Sequence, residues 1–165
     1  MSSFKLYSLG ENNIGIWDAG MRCYDPGICT GLSVLWCKQI LINRANLYIP
    51  PSNFEASILQ AKYEVLHLLR PSVFLRQVNL EPETRFKGLG LTCFLYLITE
   101  TGVFLLSYEG HMLAAAIINA EFFLFEPEVG LFKYPNGSMF RKDMSRNYKN
   151  VSRKIWRIRQ VKLIA

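Results

Sequence analysis

The chain has 165 residues, of which 50% are hydrophobic and 19% are charged. This balance is typical of a packed globular protein and excludes a disordered chain, and the length predicts a single domain over residues 1–165. The net charge is +6. The positive charge is concentrated after position 140, where Asp143 is the one acidic residue. The basic residues there are Arg141, Lys142, Arg146, Lys149, Arg153, Lys154, Arg157, Arg159 and Lys162.

No targeting or membrane-spanning segment is expected. The first residues lack a basic start, an apolar core and a small-residue cleavage site, so we predict no Sec signal. The longest apolar region, Leu113 to Phe125, is interrupted by Asn119 and Glu121 and is too short to span a bilayer. The basic end could contact an anionic membrane or an acidic surface, although a solvated face explains it more simply. Because no nucleic-acid motif accompanies it, we expect no nucleic-acid partner.

Neither a disulfide framework nor a metal site is expected from the cysteines and histidines. The four cysteines, at positions 23, 29, 37 and 93, show no paired spacing and are predicted to be reduced thiols. The two histidines, His67 and His111, are not near a cysteine pair with zinc-finger spacing, so we expect no metal and no cofactor. His67 falls in a helical stretch, where a lone histidine is usually a surface residue, and we predict no catalytic role for it.

The first elements lead to Cys29. We predict that residues 1–10 form a short strand or extended arm and that residues 11–26 form an irregular loop. Pro26 cannot continue a helix from upstream and Gly27 allows a sharp turn, so Cys29 falls in the first turn of the helix that follows. Apolar residues at steps of three and four extend this helix to about position 45. At its start, unpaired backbone N–H groups and the helix dipole favour a thiolate.

A second helix and an ambiguous apolar run come next. Ser52 or Asn53, after two prolines, predicts the cap of a helix that runs to about Leu69. Its apolar residues form one stripe: Phe54, Ile58, Ala61, Val65, Leu68 and Leu69. A connection is predicted from Pro71 to about Glu83. The apolar run over 89–101 fits a buried helix or a buried strand, and we predict a helix that ends at Gly102.

From Val103 onward the sequence consists of short apolar or aromatic runs, separated by Glu109 with Gly110 and by Asn119 with Ala120. This pattern predicts the strands of an antiparallel sheet, with a further strand over 130–134. A turn at 135–137, a short polar helix from position 138 and a half-exposed strand over 155–164 complete the chain. Helices first and strands later indicate an α+β fold.

His111 and Glu126 mark the two ends of a predicted hairpin. His111 begins the run HMLAAAII, and Glu126 ends the next run, EFFLFE. Antiparallel strands joined by a tight turn bring the start of one beside the end of the other, so we expect these side chains to be cross-strand neighbours. A Cys29 thiolate would attack a carbonyl, His111 would protonate the leaving amine, and Glu126 would hold the imidazole ring.

An oxyanion formed at this site would need backbone or side-chain donors. The backbone N–H of Cys29 is one natural donor. A second donor usually comes from a side chain a few residues upstream, where this chain has Cys23, Tyr24 and Asp25. None of these is asparagine or glutamine, so the second donor stays open.

Three blocks of the sequence, GICTGLSVLW, GHMLAA and FLFEPEVGLF, resemble in this order the signature blocks of the YopT-type cysteine proteases, a papain-like group of bacterial virulence effectors. The resemblance implies a papain-like α+β fold in which N-terminal helices pack on a C-terminal antiparallel sheet. It also implies a catalytic triad, which matches Cys29, His111 and Glu126. The family has an aspartate in the place of Glu126 and an asparagine in the place of Glu128.

The function implied by this resemblance is a cysteine protease that acts as a virulence effector or toxin. A bacterium would deliver it through a specialised secretion system into a target cell, where it would cleave a protein of that cell. The same Cys-His pair also serves transglutaminases, deamidases and peptidoglycan amidases, and these alternatives stay open. A non-catalytic binding module on the same fold is a further alternative, which predicts that Cys29 is no more reactive than Cys37 or Cys93.

Overall fold

The computed structural model describes residues 4–8, 28–66, 71–91, 95–96 and 98–164. In chain order the elements are β1 (Phe4–Ser8), α1 (Ile28–Ile42), a 3-10 helix (Arg44–Tyr48), α2 (Asn53–Leu66), α3 (Pro71–Gln77), β2 (Leu80–Leu89), β3 (Gly102–Tyr108), β4 (His111–Ile118), β5 (Glu121–Glu126), β6 (Gly130–Tyr134), α4 (Gly137–Asn147), a second 3-10 helix (Lys149–Val151) and β7 (Ile155–Leu163). Helices dominate the first half and strands the second, as the sequence predicts.

The strands of the described chain form one sheet in the order β1-β6-β5-β4-β3-β7-β2. Every neighbouring pair is antiparallel. Helix α1 lies across the middle of this sheet, mainly against β4 and β3, and α2 packs on α1. The predicted α+β fold, with N-terminal helices on a C-terminal antiparallel sheet, is confirmed.

Two tight hairpins fix the register of the central strands. Glu109 and Gly110 connect β3 to β4 with φ values of 42° and 81°, and Asn119 and Ala120 connect β4 to β5 with φ values of 52° and 63°. Such left-handed pairs match the twist of the strands that they join. Tyr108 therefore pairs directly with His111, which becomes the first residue of β4. The predicted turns are confirmed at both positions.

Both faces of the sheet are covered by apolar side chains. On the face under α1, Trp36 stacks on Phe125 with ring centroids 5.4 Å apart, and its indole N–H donates to the carbonyl of Leu47 at 3.2 Å. On the opposite face, Trp156 and Phe140 are fully buried in a second cluster covered by α4. Strands buried on both faces read as continuous apolar runs, which explains why β3, β4 and β5 could be recognised from the sequence.

The connection predicted from Pro71 to Glu83 is wrong, because this region contains helix α3 and the start of strand β2. Strand β2 has the sequence LEPETRFKGL and lies at the edge of the sheet, paired with β7 alone. Charged residues and a proline are typical of edge strands, and the register shifts between Pro82 and Thr84. A polar edge strand of this kind lacks the continuous apolar run by which β3, β4 and β5 are recognised.

Some of the other predicted boundaries of helices are confirmed and others are wrong. Leu89 ends β2 and Gly102 begins β3, so neither bounds a helix as predicted. Leu91 and Leu95 between them are helical, and residues 92–94 and 97 lie outside the described residues. The cap of α2 is confirmed, because the hydroxyl of Ser52 accepts from the backbone N–H of Glu55 at 3.2 Å. The predicted loop over 11–26 and His67 lie outside the described residues.

The apolar stripe of α2 faces outward. Phe54 and Val65 are 75% and 73% exposed, whereas Ala56 and Gln60 on the other side of the helix are buried. Small residues at the contact with α1 allow this arrangement, because the backbone of Ala56 lies directly against Gly31. No helix in the described ranges combines the length and the hydrophobicity that crossing a bilayer requires.

The close approach of α1 and α2 gives a test of this packing. In an exposed helix, replacing glycine with alanine stabilises by about 1 kcal/mol. At Gly31 the new Cβ would overlap the backbone carbonyl oxygen of Ala56, so we expect Gly31→Ala to lower the free energy of unfolding by roughly 1–3 kcal/mol. Urea unfolding measures the difference, and an unchanged or higher stability would show that the two helices are not in this contact.

Candidate active site

Helix α1 carries Cys29 to the end of strand β4. Cys29 is the second described residue of α1 and lies in its first turn. Its thiol donates weakly to the carbonyl of Gly110, with a distance of 3.8 Å from Sγ to the oxygen. One turn later, the hydroxyl of Ser33 donates to the carbonyl of Met112 at 3.1 Å. These two bonds align the start of α1 with the start of β4 and place Cys29 beside the residue that precedes His111.

His111 and Glu126 meet at the same end of the sheet. Nε2 of His111 lies 2.9 Å from Oε1 and 3.2 Å from Oε2 of Glu126. Ala114 of β4 pairs with Phe125 of β5, so these two side chains share one face of the sheet. His111, three residues before Ala114, and Glu126, one residue after Phe125, both point to the opposite face. Both side chains are buried, with relative exposures of 5% for His111 and 6% for Glu126. The structure therefore brings together the cross-strand neighbours that the sequence predicts.

The imidazole of His111 interacts with Cys29 as well as Glu126. Burial alone would lower the pKa of His111, but a side-chain hydrogen bond with Cys29, a hydrogen bond with Glu126 and the negative charges of both raise it from 6.5 to about 10. Nε2 is occupied by Glu126, and Nδ1 is buried without another described partner. Because Glu126 occupies Nε2, Nδ1 is the ring nitrogen that remains for Cys29. Cys29 and Glu126 together favour the protonated form of His111.

Glu126 is held from two further sides. The hydroxyl of Tyr148 donates to Oε2 of Glu126, and the backbone N–H of Glu128 donates to Oε1 at 3.3 Å. Tyr148 follows directly after α4, which packs on β5 and β6. Burial and the negative charge of Glu126 raise the pKa of Tyr148 well above its usual value, so the phenol stays protonated and remains a donor. Hydrogen bonds from donors on both oxygens keep this carboxylate in one orientation.

Aromatic rings shield the histidine from solvent. Tyr108 lies edge-on to the imidazole of His111, with ring centroids 5.5 Å apart, and packs on Trp156 at 4.4 Å. Tyr148 contacts the same tryptophan at 5.7 Å. Burial and the nearby charges of Glu126 and Cys29 raise the pKa of Tyr108 to about 12. A low local dielectric strengthens the attraction between His111 and its anionic partners.

Cys37 provides an internal comparison for Cys29. Both thiols are fully buried and belong to no disulfide. Cys37 lies deeper in α1 and donates weakly to the carbonyl of Phe104 at 3.9 Å, and burial raises its pKa well above the usual value. His111 acts on Cys29 and not on Cys37. Cys23 and Cys93 lie outside the described residues.

Tyr148 is the site residue that the sequence did not reveal. It stands in a basic, polar stretch after position 140, where nothing in the local pattern distinguishes it from a surface tyrosine. Its contact with Glu126 depends on how α4 docks against the sheet, which is a long-range property. Cys23, Tyr24 and Asp25, considered as sources of a second oxyanion donor, lie outside the described residues. Over the ranges that the structure describes, no group of three or more metal-ligating side chains comes together.

Two cavities flank His111. The larger, about 520 Å³, is lined on the aromatic side by Tyr108, Tyr148 and Glu126, with Glu128 and Phe132 among its other walls. The smaller, about 230 Å³, lies on the side of α1 and is lined by Thr30, Gly110 and two arginines of β7. His111 belongs to the walls of both cavities. A chain bound across the end of β4 would therefore have space on either side of the imidazole.

Comparison with known proteins establishes the fold. No protein-family model and no curated protein matches the sequence. The crystal structure of the Pseudomonas avirulence protein AvrPphB is similar to this chain with a TM-score of 0.61, covering 99% of this chain and 97% of that one at 15% identity. The fold is papain-like. The predicted resemblance to the YopT-type proteases is thereby confirmed at the level of the papain-like fold.

A second solved structure aligns less well. It is PatoxP, a cysteine protease-like domain of the Photorhabdus asymbiotica toxin PaTox, with a TM-score of 0.43 and 11% identity, covering 85% of this chain and 47% of that one. That score is too low to establish a shared fold, and the assignment as papain-like rests on the similarity to AvrPphB.

The pKa of His111 gives a test through the pH dependence of stability. Folded His111 keeps its proton up to about pH 10, whereas an unfolded histidine releases it near pH 6.5. Its contribution to stability is therefore full below pH 6.5 and is lost as the pH rises through about 10. Glu126→Gln removes one cause of the raised pKa, so we expect the loss of stability between pH 6.5 and 10 to become smaller.

Urea unfolding across this pH range measures the effect, and NMR titration of the His111 ring reports the pKa directly. Glu128→Gln is the matched control, because its side chain does not act on His111. Equal pH profiles for wild type and Glu126→Gln would contradict the interaction.

The hydrogen bond from Tyr148 gives a second test. Tyr148→Phe removes one donor from a buried carboxylate, and we expect it to lower the free energy of unfolding by about 1–3 kcal/mol. The exposed Tyr96 offers a control, since Tyr96→Phe should leave stability unchanged. Because Glu126 would hold the ring less firmly, the rate of Cys29 alkylation should also fall while that of Cys37 does not. Wild-type values for both quantities would show that the Tyr148 hydroxyl is dispensable.

Proposed function

We propose that this chain is a papain-like cysteine protease that acts as a bacterial effector or toxin on a protein of a target cell. Cys29 is the proposed nucleophile, His111 the proposed general acid and base, and Glu126 the proposed orienting residue. The observation that carries the proposal is the buried imidazole of His111, bonded through Nε2 to Glu126 and raised in pKa by Cys29 and Glu126 together. A structural histidine has no need of a thiol on one side and a carboxylate on the other.

In the acylation step, the Cys29 thiolate attacks the carbonyl carbon of a peptide bond. The carbonyl oxygen becomes an oxyanion, and the backbone N–H of Cys29, in the first turn of α1, donates to it. Imidazolium His111 gives its proton to the amide nitrogen, the C–N bond breaks, and the amine product leaves. Cys29 is then joined to the substrate as a thioester, and His111 is neutral.

In the deacylation step, neutral His111 accepts a proton from a water molecule, and the resulting hydroxide attacks the thioester carbonyl. The C–S bond breaks, the carboxylic acid product leaves, and the thiolate and imidazolium are restored. Glu126 does not exchange protons in either step. Its charge stabilises the imidazolium and its position selects the ring orientation in which Nδ1 faces the sulfur.

The glutamate at position 126 suits this role despite its extra methylene. Tyr148 and the backbone N–H of Glu128 hold its two oxygens, and the longer side chain reaches Nε2 at 2.9 Å from the end of β5. Carboxylates of either length orient histidines in triads on other folds. The departure from the aspartate of the YopT-type family is therefore compatible with catalysis.

The proposed biological setting follows the resemblance. A neighbour in fold is an avirulence protein of Pseudomonas, which supports an effector delivered by a specialised secretion system. The proposed substrate is a protein of the target cell. Contact of the basic C-terminal region with an anionic membrane or an acidic surface remains part of the proposal, although three of its cations already pair with Asp143, Glu109 and Glu81.

Selective alkylation tests the nucleophile. Cys29 and Cys37 are equally buried, so a difference in reactivity cannot arise from exposure. We expect iodoacetamide at neutral pH, read out by peptide mass spectrometry, to label Cys29 at least tenfold faster than Cys37. His111→Ala should abolish the preference. Equal labelling of the two cysteines would overturn the catalytic proposal and favour a non-catalytic binding module.

Incubation with a lysate of target cells tests the reaction. New peptide N-termini that appear with wild type and not with Cys29→Ala would support a protease. A mass increase of one unit at glutamine would identify a deamidase, a new amide bond between a glutamine side chain and an amine a transglutaminase, and release of cell-wall fragments from peptidoglycan an amidase. Any of these three products without peptide cleavage would overturn the proteolytic assignment while keeping the Cys-His chemistry.

A further inference from the structure

We propose that the smaller cavity beside His111 is a subsite that binds an acidic side chain, aspartate or glutamate, of the substrate protein. This inference rests on the proposed protease function and adds a substrate preference to it. The recognising residues are Arg157 and Arg159 of β7, which line the cavity together with His111.

The cavity adjoins the proposed nucleophile. Thr30, the residue after Cys29, forms one wall, and Gly110, whose carbonyl lies 3.8 Å from the Cys29 sulfur, forms another. Its volume of about 230 Å³ is enough for one side chain. A side chain that enters it therefore belongs to a substrate residue close to the peptide bond that Cys29 attacks.

Two guanidinium groups supply the charge of this cavity. Arg157 and Arg159 are two residues apart on β7, so their side chains share the face of the sheet that carries Ser107 and Leu105 at the paired positions of β3. Both arginines are half-buried. A planar guanidinium binds a carboxylate through two parallel hydrogen bonds, and partial burial reduces screening by solvent.

An acidic residue in the wall of this cavity, Glu109, does not neutralise Arg157. Among the described residues no carboxylate forms an ion pair with Arg157, and Glu109 at the rim is paired with Lys154 at 3.1 Å.

Tyr63 lies close to both the arginines and Cys29. It belongs to the wall of the same cavity. Burial and the negative charge of Cys29 raise the pKa of Tyr63, whereas the charges of Arg159 and Arg157 oppose the rise. The two arginines and Cys29 therefore all act on one phenol, which agrees with a subsite beside the proposed nucleophile.

Peptidyl vinyl sulfones that alkylate the active-site cysteine test the subsite without a known substrate. The probes form pairs that differ only by Glu or Gln at one position before the electrophile, and mass spectrometry measures the rate at Cys29. At one position we expect the Glu probe to react about tenfold faster or more, the factor of one charge-assisted hydrogen bond. Arg157→Gln should reduce this preference, and the double variant with Arg159→Gln should abolish it.

Lys162→Gln is the control, because it removes one charge from the same strand at a residue that pairs with Glu81 instead of lining the cavity. It should keep the full preference for Glu. If iodoacetamide labels Cys29 selectively but no position prefers Glu, or if the double variant keeps the preference, the subsite is overturned and the protease proposal stands. If iodoacetamide labels Cys29 and Cys37 equally, the protease proposal fails and the subsite with it.

Discussion

The buried hydrogen bond between His111 and Glu126 is the interaction on which the site depends. Removing two ionisable groups from water costs several kcal/mol for each unless they are paired and their remaining hydrogen-bonding atoms are satisfied. Here Tyr148 and the backbone of Glu128 satisfy the carboxylate, and Cys29 adds a hydrogen bond to the imidazole. The energetic requirement for pairing thus gathers the three side chains to which we assign the proposed chemistry.

That alignment draws on parts of the chain that are distant in sequence. Helix α1 contributes Cys29, the hairpin of β4 and β5 contributes His111 and Glu126, and the segment after α4 contributes Tyr148. Hydrogen bonds from the side chains of α1 to the backbone at Gly110 and Met112 tie the first two parts together. Because the core lies on both faces of the sheet, a slip of a central strand by one residue would exchange the side chains of the two cores and place each against neighbours of the wrong size.

The sequence predicts the central half of this fold well and its edges poorly. Apolar runs and left-handed turn residues identify β3, β4 and β5, and these strands alone place His111 beside Glu126. Strand β2 is not predicted, because an edge strand tolerates charges and proline and this one has no continuous apolar run. The orientation of α2 and the contact from Tyr148 depend on packing between distant elements, which no local pattern encodes.

The two-residue turn at Asn119 and Ala120 constrains which changes of length this chain can accept. A strand shifted by one residue turns every side chain to the opposite face. Inserting or deleting one residue between His111 and Glu126 would therefore part the imidazole from its carboxylate even if every residue of the site were kept. The length of this hairpin is thus as much a part of the site as the two side chains at its ends.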